Sequence, residues 1–289
     1  MSLDAITTRM LPGAPARDAI LQGLHTRITA AGSPAIALAT VLVGDDAPSQ
    51  KYVASKHRIA QQIGIQSVQV ELPSTCTQEQ LDAEVARLAA DTSVHGILVQ
   101  MPLPVHLDAE RVLALIPAAK DVDGLTSESM GRLMRGLEGH VGCTPLGVLR
   151  LLQHYGIATA GKHAVVVGRS TLVGLPLSVL LARKGIDCTV TLAHSRTANL
   201  AEVCRGADIL ISATGVARSI DASHVSAGAT LIDVGISRTE VGIVGDIDAD
   251  AVMGIAGALT PMPGGTGIMT VACLMENTVN AAVMQGIAL

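Results

Sequence analysis

Short apolar runs alternate with longer amphipathic segments along the first part of the chain. The runs at 35–44, 66–73 and 95–104 have the length and the Val/Ile content of β-strands. The segments between them have helical spacing, and one opens at Thr77 with Gln80 three residues later, as in a capping box. Strands that alternate with helices predict an α/β fold with a mainly parallel sheet covered on both faces.

The same alternation restarts near residue 163 and predicts a second α/β unit. Residues 117–147 are rich in glycine and polar side chains and are interpreted as a crossing between two domains. After them a strand leads into a glycine turn, a helix and another strand, the order of a doubly wound nucleotide-binding unit. The uncharged stretch 251–275 has two prolines and three glycines in its middle, which predicts a buried strand, a loop and a helix start instead of a membrane-spanning helix.

Composition and charge narrow the function classes. The 289 residues are 49% hydrophobic and 16% charged, with two Tyr, no Phe and no Trp, so the predicted core is aliphatic. A net charge of −5 and the lack of aromatic stacking surfaces argue against nucleic acid as a partner. Five scattered cysteines without a C-x-x-C pair indicate reduced thiols in the cytoplasm and no metal site. The first 20 residues contain no apolar core of a secretory signal.

A glycine turn in the second unit is the candidate cofactor site. Gly168 and Gly174 bracket a turn between a strand and a helix, and Ser170 stands where a G-x-G-x-x-G motif has its second glycine. A helix N-terminus in this place can hold a diphosphate. The alternative interpretation is an ordinary tight turn.

The end of the next strand indicates which dinucleotide binds. An NAD site usually has Asp or Glu there to bind the ribose hydroxyls. This chain has His194, Ser195 and Arg196 instead, and Arg169 lies in the glycine turn. Cations and a hydroxyl suit a 2′-phosphate, so the sequence favours NADP. A solvated arginine at a helix start is the alternative interpretation of Arg196.

Polar side chains follow the strands of the first unit. Tyr52 and Lys56 come after the first strand, four residues apart and so on one helix face; Gln100 ends the third, and Asp121 and Asp123 follow the next helix. Ligands of open α/β sheets bind at the carboxyl ends of the strands, which predicts a site here. Taken singly, these residues also suit a solvated helix face, a strand-end hydrogen bonder and a turn.

A Y-x-x-x-K pair also occurs in short-chain dehydrogenases, but their glycine loop precedes the tyrosine, whereas Tyr52 here precedes Gly168. The order instead resembles the bifunctional methylenetetrahydrofolate dehydrogenase/methenyltetrahydrofolate cyclohydrolase family over nearly the whole chain. The matching blocks are YVASK (52–56), VQMPLP (99–104), KDVDGLT (120–126), CTPLG (143–147), VVVGRSTLVGLP (165–176), HSRT (194–197), IDVGI (232–236), VGDID (244–248) and TPMPGG (260–265).

The resemblance implies two α/β domains. Residues 1–139, completed by 269–289, would form an N-terminal catalytic three-layer domain that binds folate, with the C-terminal helix packing back on it. Residues 140–268 would form an NADP-binding Rossmann domain, and folate would lie in the cleft between the two. A cytoplasmic homodimer that binds neither nucleic acid nor membrane is also implied.

The resemblance also assigns residues. Lys56 would be catalytic, Tyr52 would stack on the pterin, Gln100 would support Lys56, and Asp123 would hold the amino-pyrimidinone edge. The implied substrate-binding residues are Tyr52, Gln100, Asp123, Pro263 and Gly264. The implied cofactor-binding residues are Gly168, Arg169, Ser170, Gly174, Ser195, Arg196, Thr214, Gly215 and Ile236. The chain departs from the family pattern at Thr266 and Ile268, where Val and Pro are usual, and near its N-terminus, which lacks the usual L-D-G-K.

The implied activity is NADP-dependent oxidation of 5,10-methylenetetrahydrofolate to 5,10-methenyltetrahydrofolate, followed by hydrolysis to 10-formyltetrahydrofolate. A protonated lysine would be repelled by the methenyl cation, so we expect the site to lower the pKa of Lys56 and allow it to act as a base. Two alternatives are a monofunctional dehydrogenase, a class that tends to lose this lysine, and a catalytically silent NADP-binding sensor of the same fold.

Overall fold

The computed structural model describes residues 6–240 and 242–289. Residues 1–5 and Val241 lie outside that description. The predicted first domain begins at residue 1, and so does the N-terminal stretch in which no secretory signal is expected. The strands are β1 Arg9–Met10, β2 Ala37–Val43, β3 Gln66–Leu72, β4 Gly96–Val99, β5 His163–Val167, β6 Thr189–Ala193, β7 Ile209–Ser212, β8 Thr230–Asp233, β9 Ser237–Thr239, β10 Gly242–Val244 and β11 Ala258–Leu259. The α-helices are α1 Gly13–Ala30, α2 Ala47–Gln62, α3 Gln78–Ala90, α4 Ala109–Leu113, α5 Ser127–Met134, α6 Cys143–His154, α7 Gly174–Ala182, α8 Leu200–Arg205, α9 Ala249–Val252 and α10 Met269–Met284. Short 3₁₀ turns cover Ala118–Lys120, Ala222–His224 and Thr266–Ile268.

The chain divides into two compact units. One, the lysine unit, comprises residues 18–143 and 271–289; the other, the glycine-loop unit, comprises residues 144–270 and the described residues before 18. The sequence placed the whole N-terminal stretch in the first domain. The structure differs there because Arg9 of β1 pairs in parallel with Ala258 of β11, which is a strand of the glycine-loop unit.

The lysine unit is built on a parallel three-stranded sheet in the order β3-β2-β4. Val41 of β2 packs with Leu81 and Val85 of α3 in one buried cluster. On the opposite face, Thr40 of β2 is hydrogen-bonded to His57 of α2, with 2.7 Å between Oγ1 and Nε2. Helices therefore cover both faces, which gives the expected three-layer arrangement. The predicted capping box at the start of α3 is present.

The last helix completes the lysine unit, as predicted. Asn277 of α10 is buried, and its Nδ2 donates to the carbonyl oxygens of Val122 at 2.8 Å and Val141 at 2.9 Å. By length and composition alone, Thr266–Met284 could cross a membrane, but 61% of this window is buried inside the protein, as in a core helix.

The segment interpreted as a crossing between domains contains the boundary between the two units, which lies after Cys143, and its residues up to Cys143 belong to the lysine unit. Lys120 is buried, and its Nζ donates to the carbonyl oxygens of Ala89 at 2.9 Å and Asp91 at 2.7 Å, at the C-terminal end of α3. These polar groups are therefore hydrogen-bonded inside the unit. The strand expected over 95–104 is also shorter, since it ends at Val99.

The glycine-loop unit has a parallel six-stranded sheet in the order β1-β11-β8-β7-β5-β6. Val165, Leu210 and Leu231 lie in its buried aliphatic core. From β5 the chain passes through α7 to β6 on one side, and it then returns to β7 on the other. The topological switch point, where doubly wound sheets bind their ligands, thus lies between β5 and β7.

Candidate functional site

Helix α2 places Tyr52 and Lys56 together. Asp46 caps this helix by accepting a hydrogen bond from the Ser49 backbone N–H at 2.9 Å, which fixes where the helical register begins. The Lys56 Nζ lies 4.2 Å from the centroid of the Tyr52 ring. The tyrosine is 36% exposed while the lysine is only 5% exposed. The shared face predicted from their spacing is therefore present, and the lysine amine lies beneath the ring.

Gln100 holds the lysine amine from the end of β4. The Lys56 Nζ donates to Gln100 Oε1 at 3.0 Å, while Gln100 Nε2 donates to the Met101 carbonyl oxygen at 2.7 Å. The second hydrogen bond points the amide oxygen at the amine. Gln100 thus satisfies the lysine without adding a charge. Burial lowers the pKa of Lys56, against the opposing effect of Asp123 and Cys143.

The two aspartates after the 3₁₀ turn have different surroundings. Asp121 is buried and accepts backbone hydrogen bonds from Leu125 at 3.2 Å and Thr126 at 2.9 Å, so it shapes the loop. Asp123 is half-buried and interacts with Lys56. The loss of hydration on burial raises the pKa of Asp123, and the positive charge of Lys56 opposes that rise.

Cys143 is a neighbour of Asp123 that sequence reasoning left without a role. Its Sγ donates to the Val122 carbonyl oxygen at 3.3 Å, and its side chain is also hydrogen-bonded to Asp123. Burial and the nearby carboxylate raise the pKa of this thiol well above 9.0, which keeps it neutral. The available signal was its place at the head of the CTPLG block.

The glycine turn of the second unit leaves no room for side chains at its two glycines. A Cβ on Gly168, which has a φ of +122°, would lie 2.3 Å from the Ala213 carbonyl oxygen; one on Gly174 would lie 1.9 Å from the Gly168 carbonyl oxygen. Ser170 Oγ accepts a hydrogen bond from the Val173 N–H at 3.2 Å, just before α7 begins. Both glycines are therefore required for this close approach at the switch point.

The turn after β6 presents its cation to solvent. Thr197 Oγ1 accepts from the His194 N–H at 2.9 Å, and His194 Nδ1 accepts from the Arg196 N–H at 3.2 Å. Ser195 and Arg196 are exposed, as is Arg169 in the glycine turn. Two guanidinium groups and a hydroxyl suit a 2′-phosphate, so this donor set fits NADP.

The remaining predicted cofactor residues lie on neighbouring turns of the same unit. Thr214 and Gly215 follow β7, and their backbone N–H groups both donate to Asp246 Oδ2, at 2.6 and 3.3 Å. Ile236 follows β8 and is 56% exposed. The predicted substrate residues Pro263 and Gly264 also belong to this unit.

An open parallel sheet with a glycine turn at its switch point, joined to a second α/β unit with a buried lysine centre, defines a class of two-domain nucleotide-binding proteins. Two family models match the chain: "Tetrahydrofolate dehydrogenase/cyclohydrolase, catalytic domain" over residues 11–123, and the NAD(P)-binding domain of the same name over residues 142–286. The chain belongs to the tetrahydrofolate dehydrogenase/cyclohydrolase family, as its sequence blocks predicted.

Characterised relatives agree over most of the chain. The bifunctional protein FolD of Halalkalibacterium halodurans is 50% identical over 85% of this chain and 87% of its own length. The crystal structure of the bifunctional FolD dehydrogenase/cyclohydrolase of Campylobacter jejuni has a TM-score of 0.92 at 40% identity, covering 96% of this chain and 99% of that one. The Trypanosoma brucei dehydrogenase-cyclohydrolase, complexed with NADP and an inhibitor, has a TM-score of 0.90 at 34% identity, covering 98% and 99%.

Proposed function

We propose that this chain oxidises 5,10-methylenetetrahydrofolate with NADP and hydrolyses the resulting 5,10-methenyltetrahydrofolate to 10-formyltetrahydrofolate. The observation that carries this proposal is the buried Lys56 amine, held by Gln100 beneath Tyr52 in a chain of this family. Burial of a lysine amine costs free energy and lowers its pKa. A protein that only sensed NADP would not require such a buried lysine.

In the oxidation, hydride leaves the one-carbon bridge between two folate nitrogens and a methenyl cation remains. NADP, when bound, supplies the hydride acceptor. The task of the chain's own residues is to bind and orient the folate. Tyr52 offers a partly exposed ring face for the pterin, and the Asp123 carboxylate can accept two adjacent N–H donors of its amino-pyrimidinone edge. Lys56 with its lowered pKa does not have to remain charged beside the new cation.

In the hydrolysis, a water oxygen forms a bond to the methenyl carbon while neutral Lys56 accepts one water proton. The hydroxyl proton of the adduct then moves to N5 as the C–N5 bond breaks, which leaves the formyl group on N10. Gln100 keeps the lysine lone pair available by bonding only one of its N–H groups. Release of the proton from Lys56 restores the neutral amine.

The cofactor-binding residues proposed for NADP lie on four turns of the glycine-loop unit. The glycine turn would hold the diphosphate at the N-terminus of α7. Arg169, Ser195 and Arg196 would hold the 2′-phosphate. Thr214 and Gly215 lie in the turn after β7, and Ile236 lies in the turn after β8. These three residues complete the proposed set.

A spectrophotometric assay with methylenetetrahydrofolate tests the function. We expect NADPH to form when NADP is supplied, with less product when NAD replaces it, and methenyltetrahydrofolate alone to be hydrolysed. A chain that binds NADP but turns over neither substrate would be the silent sensor. Oxidation without hydrolysis would indicate a monofunctional dehydrogenase.

Replacing the lysine tests its proposed role. Lys56→Met should lower the hydrolysis rate by about 10²- to 10⁴-fold, the usual contribution of a general base, while leaving NADP affinity unchanged. Lys51→Met is the matched control, because Lys51 is an exposed lysine on the same helix. Full hydrolysis by the Lys56 variant would contradict the assignment.

We further propose that the chain works in the cytoplasm as a homodimer. All five cysteines are buried and free, which suits a reducing compartment. The homodimer is carried by the family resemblance alone, and sedimentation of the purified chain with and without NADP tests it.

A further inference from the structure

Two buried carboxylates lie beneath the proposed cofactor turns. Asp233 ends β8 and is 2% exposed, and Asp246 follows β10 and is fully buried. Buried carboxylates are costly unless hydrogen bonds compensate for lost hydration. Their partners therefore indicate what the pair does.

Asp246 accepts hydrogen bonds from several groups at the end of β7 and in the turn after it. Its Oδ2 accepts hydrogen bonds from the Ser212 hydroxyl at 3.0 Å and from the backbone N–H groups of Thr214 at 2.6 Å and Gly215 at 3.3 Å. Thr214 Oγ1 in turn accepts from the Val216 N–H at 3.1 Å. One carboxylate oxygen thus fixes the path of the whole turn at the switch point.

Asp233 fixes Asp246. Its Oδ1 accepts from the backbone N–H groups of Asp246 at 3.0 Å and Gly235 at 3.1 Å, and its Oδ2 accepts from Ile247 at 3.0 Å. Gly235 lies in the turn that leads to Ile236. The two carboxylates therefore tie the turns after β7 and β8 to one another through hydrogen bonds of 2.6 to 3.3 Å.

Two glycines allow this close packing. A Cβ on Gly235 would lie 1.8 Å from Asp246 Oδ1, and a Cβ on Gly245 would lie 1.9 Å from Asp233 Oδ2. Among the described residues, no hydrogen-bond partner reaches the buried Asp246 Oδ1. All the donors thus converge on the oxygen that faces the turn.

We propose that Asp246 is a positioning residue for the oxidation step, which sets the turn Thr214–Gly215 at the position needed to receive NADP, with Asp233 holding Asp246 in place. This inference rests on the proposed function, because it takes the switch point as the NADP site. It assigns a purpose to Asp233 of the IDVGI block and to Asp246 of the VGDID block.

The test is direct NADPH binding, followed by fluorescence, together with both activities. Asp246→Ala leaves three donors without their acceptor, so we expect the Kd for NADPH and the KM for NADP to rise by about tenfold or more. Asp246→Asn keeps one acceptor oxygen and should lie between the alanine variant and the wild type. Hydrolysis of methenyltetrahydrofolate should be unchanged in both, because its proposed groups belong to the lysine unit. Asp250→Ala, at an exposed aspartate on α9, is the control.

The outcomes separate positioning from plain stability. Unchanged NADPH affinity in both variants would overturn the inference, whatever happens to their melting temperatures. If Asp246→Ala does not fold, the asparagine variant decides: weaker NADPH binding with full hydrolysis supports positioning, and equal loss of both activities refutes it. A wild-type chain that fails to bind NADPH would refute the proposed function itself, which is a separate result.

Discussion

A lysine side chain is charged in most proteins at neutral pH. The Lys56 amine, in contrast, has little water around it. With 5% of its surface exposed, it depends on Gln100 and on the ring of Tyr52 for partners. The spacing of Tyr52 and Lys56 predicted their shared helix face, and the end of the third strand predicted Gln100. Sequence spacing does not reveal burial, however, and burial is the largest cause of the lowered pKa.

Cofactor choice can be tested at the same scale. Arg196→Ala should raise the Kd for NADP by about 10- to 100-fold, because a charge-assisted hydrogen bond to the 2′-phosphate is lost, while NAD affinity changes little. Lys184→Ala removes another exposed cation, which precedes the N-terminal end of β6, and should leave both affinities unchanged. Equal losses for NADP and NAD in the Arg196 variant would mean that this arginine does not read the phosphate. Both affinities can be measured by isothermal titration.

Among the elements, α10 shows how a distant segment supports the lysine centre. The Asn277 carboxamide is the donor for the carbonyl oxygens of Val122, which precedes Asp123, and of Val141, two residues before Cys143. Replacing it by leucine leaves the buried Val141 carbonyl oxygen without this donor, at a cost of about 1–3 kcal/mol, while the Val122 carbonyl oxygen keeps the Cys143 thiol as a donor. The melting temperature should fall by roughly 2–4 °C per kcal/mol. We also expect the KM for folate to rise, since the Asp123 segment is loosened.

Asn280→Leu provides the comparison for that experiment. Asn280 is half-buried on the same helix, three residues further on. If both leucine variants melt at the same temperature and bind folate equally well, the two hydrogen bonds of Asn277 have no special role.

The elements also show where sequence reasoning succeeds and where it fails. The buried strands β2 and β5 were predicted from short apolar runs, because burial on both faces of a parallel sheet leaves that pattern. Residues 117–147 contain the boundary between the two units, but their composition did not reveal how many of their polar groups are buried inside the lysine unit. His140 is buried there, with Nε2 3.3 Å from the Ala119 carbonyl oxygen. Such internal pairing is set by tertiary contacts and leaves no periodic signal.

The family departure at Thr266 illustrates the same limit. Its hydroxyl donates to the Asp233 carbonyl oxygen at 2.6 Å, a hydrogen bond that the usual valine cannot form. The sequence revealed the substitution, but only the structure connects it to the Asp233–Asp246 pair.

For the whole molecule, Asp233 predicts how stability depends on pH. Burial is the main cause that raises its pKa from 3.8 to about 6, and the charge of Asp246 adds to it, while backbone hydrogen bonds from Ile247, Asp246 and Gly235 oppose it. The folded chain thus binds an extra proton between about pH 4 and 6. The stability contributed by this group is greatest below that window and is lost as the pH rises through it, by roughly 3 kcal/mol at most.

Melting temperatures of wild type and Asp233→Asn at about pH 4.5 and about pH 7 check this sign. The stability advantage of the wild type should be larger at the lower pH, because the asparagine does not titrate. Asp250→Asn, at an exposed carboxylate, should follow the wild type at both values. The same advantage at both pH values for Asp233→Asn would show that this carboxyl does not titrate in the window.

The parallel pairing of β1 with β11 determines when the protein can fold during its synthesis. Residues 9 and 10 are synthesised long before their partners, residues 258 and 259. Until then the β11–β8 edge of the sheet is missing, and the growing chain carries unpaired strand groups that attract other chains. The lysine unit is completed later still, because α10 follows β11 in the chain. A chain that stops at residue 270 has every strand of the larger sheet and still lacks the helix that supports Asp123.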